Sequence, residues 1–422
     1  MEREFGKQQR SRNVRRACVV CAALVVAVGG GSVAVAAPAA SAVSQASATD
    51  GSGATQRGSV VSVHRIDHFD VREVRDEVGK FGLPTDDVRH PVTAYRVVYR
   101  TIDPRGHATT ASGLVLVPRR MPEGPQRVVV YEHGTTVVKD GAPSQPGAGD
   151  NRAFPLFYAS AGYFTVAPDY LGLGAGPGMH PYDHAATEAS ASLDLLRAAR
   201  AVARGGGVRL DERVLVTGFS QGGHAAMALG RALDAGADAR FRLGALAPVA
   251  GPYDMEGVML PASLQYQGAE VNFTLAYITL AWNPIYGLYD RPDEVFLPDW
   301  ADRIANLFDG THNADEIIGA LPARLDQLFQ PAYVAQLRNP SGGLLAGLRE
   351  NDRTCMWRPS VPVRLYAARA DTHVPFPNTL NCAARLTEQG ADVQVVDVGD
   401  VDHFPSARLA AARVLSWFAA QR

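Results

Sequence analysis

Ser220 lies at the centre of a G-x-S-x-G pentapeptide at residues 218–222. The apolar run before it, residues 214–217, predicts a buried strand, and residues 222–233 predict a helix. A serine on a sharp strand-to-helix turn takes a strained backbone conformation, and the flanking glycines remove Cβ atoms that would collide there. The start of the helix offers free backbone N–H groups where an oxyanion develops. The pattern therefore predicts that Ser220 is a nucleophile.

A serine hydroxyl needs a base to take its proton, and two later residues have the types required. His403 follows an apolar run at 393–398, and Asp371 follows another at 361–367. Both runs predict strands, and residues that follow parallel strands meet at the same edge of a sheet. We predict that His403 is the general base and that Asp371 orients its ring, in the chain order Ser, Asp, His.

Three neighbouring residues are alternatives for these roles. Asp400 and Asp402 are nearer to His403 in the chain, but a carboxylate so close in sequence rarely reaches the far nitrogen of the ring. His373 shares a loop with Asp371 and is the alternative base.

An oxyanion hole needs two N–H donors, and the residue after the nucleophile, Gln221, should supply one from its backbone. The other should come from the loop after the predicted strand at 127–131, where His133, Gly134 and Thr135 stand. We favour the Thr135 amide, with Gly134 or His133 as alternatives. The remaining alternative is an ordinary strand-end loop without this role.

Short apolar runs alternate with helical patterns from residue 93 onward, which predicts an α/β fold with a mostly parallel sheet covered by helices. The alternation stops near residue 254 and resumes near 361. Helices are predicted in this interval at 270–282, 298–308, 315–321, 322–329 and 332–337. The predicted organisation is a signal peptide at 1–42, a linker and N-terminal covering segment at 43–92, a core at 93–253, a helical cap insertion at 254–358, and the rest of the core at 359–422.

The N-terminus has the pattern of a secretory signal. Basic residues within 1–16 precede an apolar stretch at 17–37, and small-residue cleavage sites follow around residues 36–48. We predict a secreted protein. The alternative is a retained membrane anchor at 17–37.

Two cysteines remain after such a leader, Cys355 and Cys382. In an oxidising compartment they predict a disulfide, which would stabilise the fold by roughly 3–4 kcal/mol. Two unpaired buried thiols are the alternative.

Charge and composition exclude several classes of protein. The 41 Lys and Arg residues nearly balance 43 Asp and Glu, which argues against a nucleic-acid-binding surface. The 46% hydrophobic content excludes global disorder. A glycine-rich run at 172–178 lacks the spacing of a dinucleotide-binding loop. His180, Asp183 and His184 could be metal ligands, but no further ligand is evident, so no metal is expected.

The motifs together resemble the α/β-hydrolase superfamily. More narrowly, they resemble the secretory lipase family of fungal lipase A-type enzymes and bacterial secreted esterases. The matching segments are residues 95–117, 133–134, 167–174, 180–182, 218–223, 371–375 and 402–403. The resemblance implies hydrolysis of acyl esters, a cap formed by the insertion, and no cofactor. One departure is that the fungal sequences carry an acidic residue where His133 and Gly134 stand.

The predicted function is a secreted serine esterase or lipase acting on a small-molecule or lipid ester. The apolar insertion predicts an acyl pocket and transient contact of the cap with a lipid interface. Alternatives with the same triad are an acyltransferase or cyclase and a peptidase. A non-catalytic binding protein on the same scaffold is the alternative from another class.

Overall fold

The computed structural model describes residues 56–421. The predicted signal peptide at 1–42, its cleavage region at 36–48 and the alternative membrane anchor at 17–37 lie outside the described residues. No helix within 56–421 is both long enough and apolar enough to cross a bilayer.

The described chain forms a nine-stranded sheet in the order β1-β2-β3-β5-β4-β6-β7-β8-β9. The first three pairings in this order are antiparallel, and the five that follow are parallel. The strands are β1 Val60–Phe69, β2 Val92–Ile102, β3 Ala108–Pro118, β4 Gln126–Glu132, β5 Phe164–Pro168, β6 Leu210–Phe219, β7 Arg242–Val249, β8 Val363–Ala367 and β9 Val393–Asp397. The mostly parallel α/β sheet predicted from the sequence is confirmed.

Helices cover both faces of this sheet, which is why its central strands are apolar throughout. Successive residues of β4 point to opposite faces: Val128 and Val130 pack into one cluster, Val129 and Tyr131 into the other. One cluster includes α3 (Ala185–Gly205), α4 (Gln221–Asp234) and α12 (Phe376–Glu388). The other includes α1 (Val71–Lys80), α2 (Asp150–Ser160) and α13 (His403–Ala420).

Helices fill the interval between β7 and β8, and we call residues 254–358 the cap segment. Their apolar side chains form a third cluster around Trp282, Phe296 and Phe329. The helices are α5 Leu260–Ser263, α6 Ala269–Tyr286, α7 Pro298–Ala301, α8 Ile304–Leu307, α9 Ala314–Ala320, α10 Pro331–Arg338 and α11 Gly342–Asn351, with a π-helical turn at Met255–Met259 and 3₁₀ turns at Pro292–Glu294, Leu325–Gln327 and Asp352–Cys355. The helix expected over 322–329 is only a 3₁₀ turn, the one expected over 298–308 is two short helices, and α11 was not expected.

The N-terminal covering segment expected at 43–92 contributes a strand to the sheet. β1 lies at the sheet edge, pairs with β2, and is mostly exposed, so its sequence lacks the alternation that marks a half-buried strand. α1 follows directly with a capping box, in which Asp70 accepts from the backbone of Glu73 and the Glu73 side chain accepts from Asp70 N.

A disulfide joins Cys355 to Cys382, as the sequence predicted, with their Cα atoms 5.3 Å apart. Both cysteines are fully buried. The bond links the end of the cap segment to α12, which is the helix that follows the loop containing Asp371.

Candidate active site

Ser220 occupies the turn between β6 and α4 in a conformation that side chains rarely adopt, with φ of 57° and ψ of −124°. Its N–H donates to Val249 O at 3.0 Å, which fixes the turn against β7. A Cβ atom on Gly222 would lie 2.0 Å from Glu132 O, and one on Gly218 would lie 2.2 Å from Gly222 O. The two glycines are therefore required by the close approach of β4 to the turn.

The structure brings Ser220, His403 and Asp371 into one hydrogen-bonded row. His403 Nε2 lies 2.9 Å from Ser220 Oγ, and His403 Nδ1 lies 2.7 Å from Asp371 Oδ2. The other carboxylate oxygen, Asp371 Oδ1, accepts from the backbone N–H groups of His373 at 3.0 Å and Val374 at 2.8 Å. Because both oxygens of Asp371 are held, its carboxylate faces the ring in one orientation. That orientation favours the tautomer with the proton on Nδ1 and a free Nε2 toward the serine.

Adjacent parallel strands explain why residues so distant in sequence meet. β8 and β9 are paired in parallel, from Val363 opposite Val393 to Ala367 opposite Asp397. Asp371 lies in the loop after β8, and His403 is the first residue of α13, after β9. His403 is 3% exposed and Asp371 6% exposed, so their hydrogen bond is largely shielded from water.

The alternative residues occupy other positions. His373 stacks on the His403 ring at 5.1 Å between centroids and is exposed to solvent. Asp402 accepts from Thr372 N and Thr372 Oγ1 through Oδ1. Backbone hydrogen bonds from His403 and Thr372 lower the pKa of Asp402. Among the described hydrogen bonds, neither Asp402 nor Asp400 reaches the His403 ring.

The loop after β4, which the sequence predicts as a source of the second oxyanion donor, lies close to Ser220. A Cβ on Gly134 would lie 3.7 Å from Ser220 Cβ, and Gly134 and Thr135 line the same cavity as Ser220 and Gln221. His133 is fully buried beneath them.

Hydrogen bonds hold the carbonyl oxygens of this loop. Tyr170 Oη donates to His133 O at 3.2 Å, the His133 ring to Gly134 O at 2.7 Å, and Tyr277 Oη to Thr136 O at 3.1 Å. The Thr135 side chain bonds Tyr182 Oη at 2.9 Å. These contacts fix the backbone of the loop. The N–H groups of Gly134 and Thr135 donate to no acceptor among the described residues.

A buried polar cluster beneath the turn was not predicted from the sequence. Glu188 on α3 lies 2.8 Å from His224 Nδ1 on α4, and its other oxygen accepts from Gln221 Nε2 at 3.0 Å. Burial alone would lower the pKa of His224, but the Glu188 carboxylate and Asp183 raise it to well above its usual value. The sequence signal for it was Glu188, an acidic residue among the small and apolar residues at 185–193.

Two sets of potential metal ligands occur among the described residues, Asp183–Glu188–His224 and Asp371–His373–Asp402. The set considered from the sequence, His180, Asp183 and His184, is not brought together. His180 bonds Leu171 O and Gln221, and His184 bonds Thr187.

A cavity of about 870 Å³ opens onto Ser220 and His403. The cap segment supplies most of its apolar lining, including Met255, Met259, Leu260, Phe273, Leu275, Ile278, Leu337, Leu344 and Leu348. The cavity is therefore suited to an apolar group attached to a reacting carbonyl at the serine.

One family model and several solved structures are similar to this chain. Residues 156–234, which include Ser220 and all of α4, match the family model described as Secretory lipase. A putative hydrolase from Legionella pneumophila is 27% identical, with a TM-score of 0.79 over 85% of this chain and 97% of that one. The rice cell wall degrading esterase LipA from Xanthomonas oryzae is 28% identical, with a TM-score of 0.78 over 87% of this chain and 100% of that one.

A more distant likeness concerns the fold alone. Candida antarctica lipase A is 16% identical, with a TM-score of 0.61 over 82% of this chain and 78% of that one. The curated proteins contain no match. The family match and the esterase neighbours support hydrolysis of carboxylic esters. The resemblance predicted from the sequence is thereby confirmed: this chain has the α/β-hydrolase fold and is similar to the secretory lipases.

Proposed function

We propose that this protein is a secreted serine esterase or lipase that cleaves acyl esters through an acyl-enzyme on Ser220. The observation that carries the proposal is the unbroken row from Ser220 Oγ through His403 to Asp371, with distances of 2.9 and 2.7 Å. Nucleophile, base and orienting carboxylate are within hydrogen-bonding reach of one another, as this chemistry requires.

In the first half of the reaction, Ser220 Oγ attacks the ester carbonyl while His403 Nε2 takes its proton. Asp371 holds the ring and stabilises the imidazolium that forms. His403 then gives the proton to the leaving alcohol as the carbon–oxygen bond breaks. Water repeats the sequence on the acyl-enzyme, with His403 again as base, and releases the carboxylic acid.

The negative charge on the carbonyl oxygen needs two donors, and we assign the backbone N–H groups of Gln221 and Thr135. Gln221 begins α4, so its N–H has no acceptor within the helix and lies at the positive end of the helix dipole. Thr135 and its neighbour Gly134, on the loop after β4, line the same cavity as Gln221. Removing such a donor typically costs about 10²–10³ in rate.

The substrate class follows from the cavity. Its apolar lining by the cap segment supports esters with a medium or long acyl chain. Tyr266 and Phe404 also line it, yet are 53% and 59% exposed, which supports transient contact of this rim with a lipid surface. Activity should then rise on emulsified esters relative to dissolved ones of the same chain length.

Secretion is part of the same proposal. The signal pattern at 1–42 and the match to the secretory lipase model support it. Sequencing the mature N-terminus from culture medium should find cleavage around residues 36–48; a protein retaining residue 1 would contradict it.

The proposal is tested by Ser220→Ala. We expect turnover of p-nitrophenyl esters to fall about 10⁴-fold or more, because no other group on the turn can attack the carbonyl. A fluorophosphonate should label the unchanged protein at Ser220 and not label the variant. A variant with full activity would refute the mechanism.

A separate experiment tests which molecule accepts the acyl group from Ser220. Products formed from a series of acetyl to long-chain esters, with and without a competing alcohol or amine, distinguish hydrolysis from acyl transfer. The proposal expects free carboxylic acid as the main product.

A further inference from the structure

The side chain of Gln221 has an environment unusual for the first residue of a helix. Gln221 is 1% exposed, and its Nε2 lies 3.0 Å from Glu188 Oε1 and 2.7 Å from His180 Nε2. Two buried acceptors therefore hold both N–H bonds of this amide. Because the side chain is buried and held at its end, it also restrains the backbone N–H of the same residue.

The acceptor His180 is itself fixed in the state that this contact needs. Its Nδ1 donates to Leu171 O at 2.9 Å, which leaves Nε2 as the acceptor for Gln221. Burial lowers the pKa of His180 to about 3, so the ring stays neutral and keeps that lone pair at working pH. The ring also stacks on Tyr170 at 5.6 Å between centroids.

The acceptor Glu188 is fixed by His224. His224 faces an acceptor at each nitrogen, the Glu188 carboxylate at 2.8 Å and Asn351 O at 3.2 Å. An imidazolium ring satisfies both contacts, and the adjacent Glu188 carboxylate favours this form because it raises the pKa of His224. Glu188 and His224 are 1% and 0% exposed, and their opposite charges cancel. That cancellation matters because an unpaired carboxylate under the turn would oppose the developing oxyanion.

We propose that Glu188 and His224 are positioning residues that act through the side chain of Gln221 to hold its backbone N–H where the oxyanion forms. The inference rests on the proposed function, in which Gln221 N–H is one of the two donors. Glu188 lies on α3 and His224 on α4, so the cluster joins the helix that carries the donor to its neighbour.

The test compares Gln221→Leu and Glu188→Leu. Each variant removes the hydrogen bond between the side chains at positions 221 and 188 but leaves the backbone N–H of residue 221 in place. We therefore expect kcat to fall about 10–100-fold, with KM changed less than about threefold. Affinity for a trifluoromethyl ketone, which forms the tetrahedral adduct, should weaken by the same factor as kcat/KM. The double variant should lose little more than either single one, because the two side chains act as a unit.

Conservative and control variants separate positioning from general stability. Glu188→Gln keeps an oxygen for Gln221 Nε2 and should recover at least about tenfold of what Glu188→Leu loses. Asp194→Asn is the matched control: Asp194 is also a buried carboxylate on α3, but it pairs with Arg57 and Arg197. It should lower the melting temperature without changing kcat/KM or inhibitor affinity per active site, as counted by fluorophosphonate titration.

The outcomes are distinct. The positioning role would be overturned if Gln221→Leu had the same kcat/KM as the unchanged protein. It would also be overturned if Asp194→Asn lost as much kcat/KM per active site as Glu188→Leu. Either result would leave the serine mechanism intact. If Gln221→Leu does not fold, Gln221→Asn takes its place, because it shortens the side chain by one methylene and is subject to the same criteria. An active Ser220→Ala would instead refute the proposed function.

Discussion

At the scale of single residues, motif and strand-end position were sufficient to find the three side chains of the row. Ser220 had the glycine-flanked turn, while Asp371 and His403 each followed a predicted strand. Glu188 and His224 could not be found in this way. Their roles depend on which faces of α3 and α4 meet, and a helical pattern does not give the pairing of two helices.

Asp371→Asn tests the orienting role of the carboxylate. We expect kcat to fall about 10⁴-fold, because an amide can donate to Nδ1 and so favours the tautomer with its proton on Nε2. Asp402→Asn is the control, since Asp402 is exposed and its side chain bonds Thr372 rather than the His403 ring. Ester hydrolysis at saturating substrate measures both; similar losses in the two variants would contradict the assignment.

Glu132 predicts a pH dependence of stability. Its carboxyl group is fully buried, and burial raises its pKa to about 8, although the nearby Ser192 and Tyr170 hydroxyls act in the opposite direction. Below the unfolded pKa, near 4.5, both states are protonated. As pH rises toward 8, only the unfolded state ionises, so the folded state loses stability over this interval. The side chain of Glu132→Gln cannot ionise. The melting temperature of this variant should therefore rise relative to that of the unchanged protein as the pH increases from 5 to 8. A constant difference across that range would contradict the assignment.

At the scale of elements, the strands that build the site had clear sequence signals, and the elements at the edge and in the cap did not. β1 is exposed and lacks alternation. α11 contains Gly343 and Gly347, which weaken a helical pattern. The structure explains both glycines: Cβ atoms there would lie 2.2 Å from Tyr286 O and 2.8 Å from the Trp282 ring. The close packing of α11 against α6 therefore requires glycines, and these glycines weaken the sequence pattern that would predict α11.

Gly222→Ala tests the contact between α4 and β4. A methyl group there would meet Glu132 O at 2.0 Å, so the turn must shift and displace Ser220 Oγ. We expect at least about a 10²-fold loss of kcat, since small displacements at a reacting group are costly. Gly205→Ala, at the end of α3 with nothing within 4 Å of its Cβ, is the control and should leave activity unchanged. The two variants are compared by ester turnover and by circular dichroism.

At the scale of the whole molecule, the alternation of elements predicted the fold class because covered parallel strands are almost wholly apolar. It could not predict how the cap segment packs over the site. Short helices joined by irregular turns have little periodicity, and their cluster around Trp282 draws on residues far apart in sequence. Only the cysteine pair gave a long-range constraint, linking the end of this segment to α12.

The Cys355–Cys382 disulfide should therefore contribute to the stability of the whole chain. It closes a loop with a sequence separation of 27, and removing it with Cys355→Ala and Cys382→Ala frees that loop in the unfolded state. We expect a loss of about 3–4 kcal/mol in the free energy of unfolding, because the unfolded chain gains conformational entropy. Urea unfolding followed by circular dichroism measures it, with the reduced unchanged protein as the control. Since Asp371 lies before α12 and not on the bond itself, kcat of the folded fraction should stay within about threefold, and a large loss of kcat without a loss of stability would contradict a structural role.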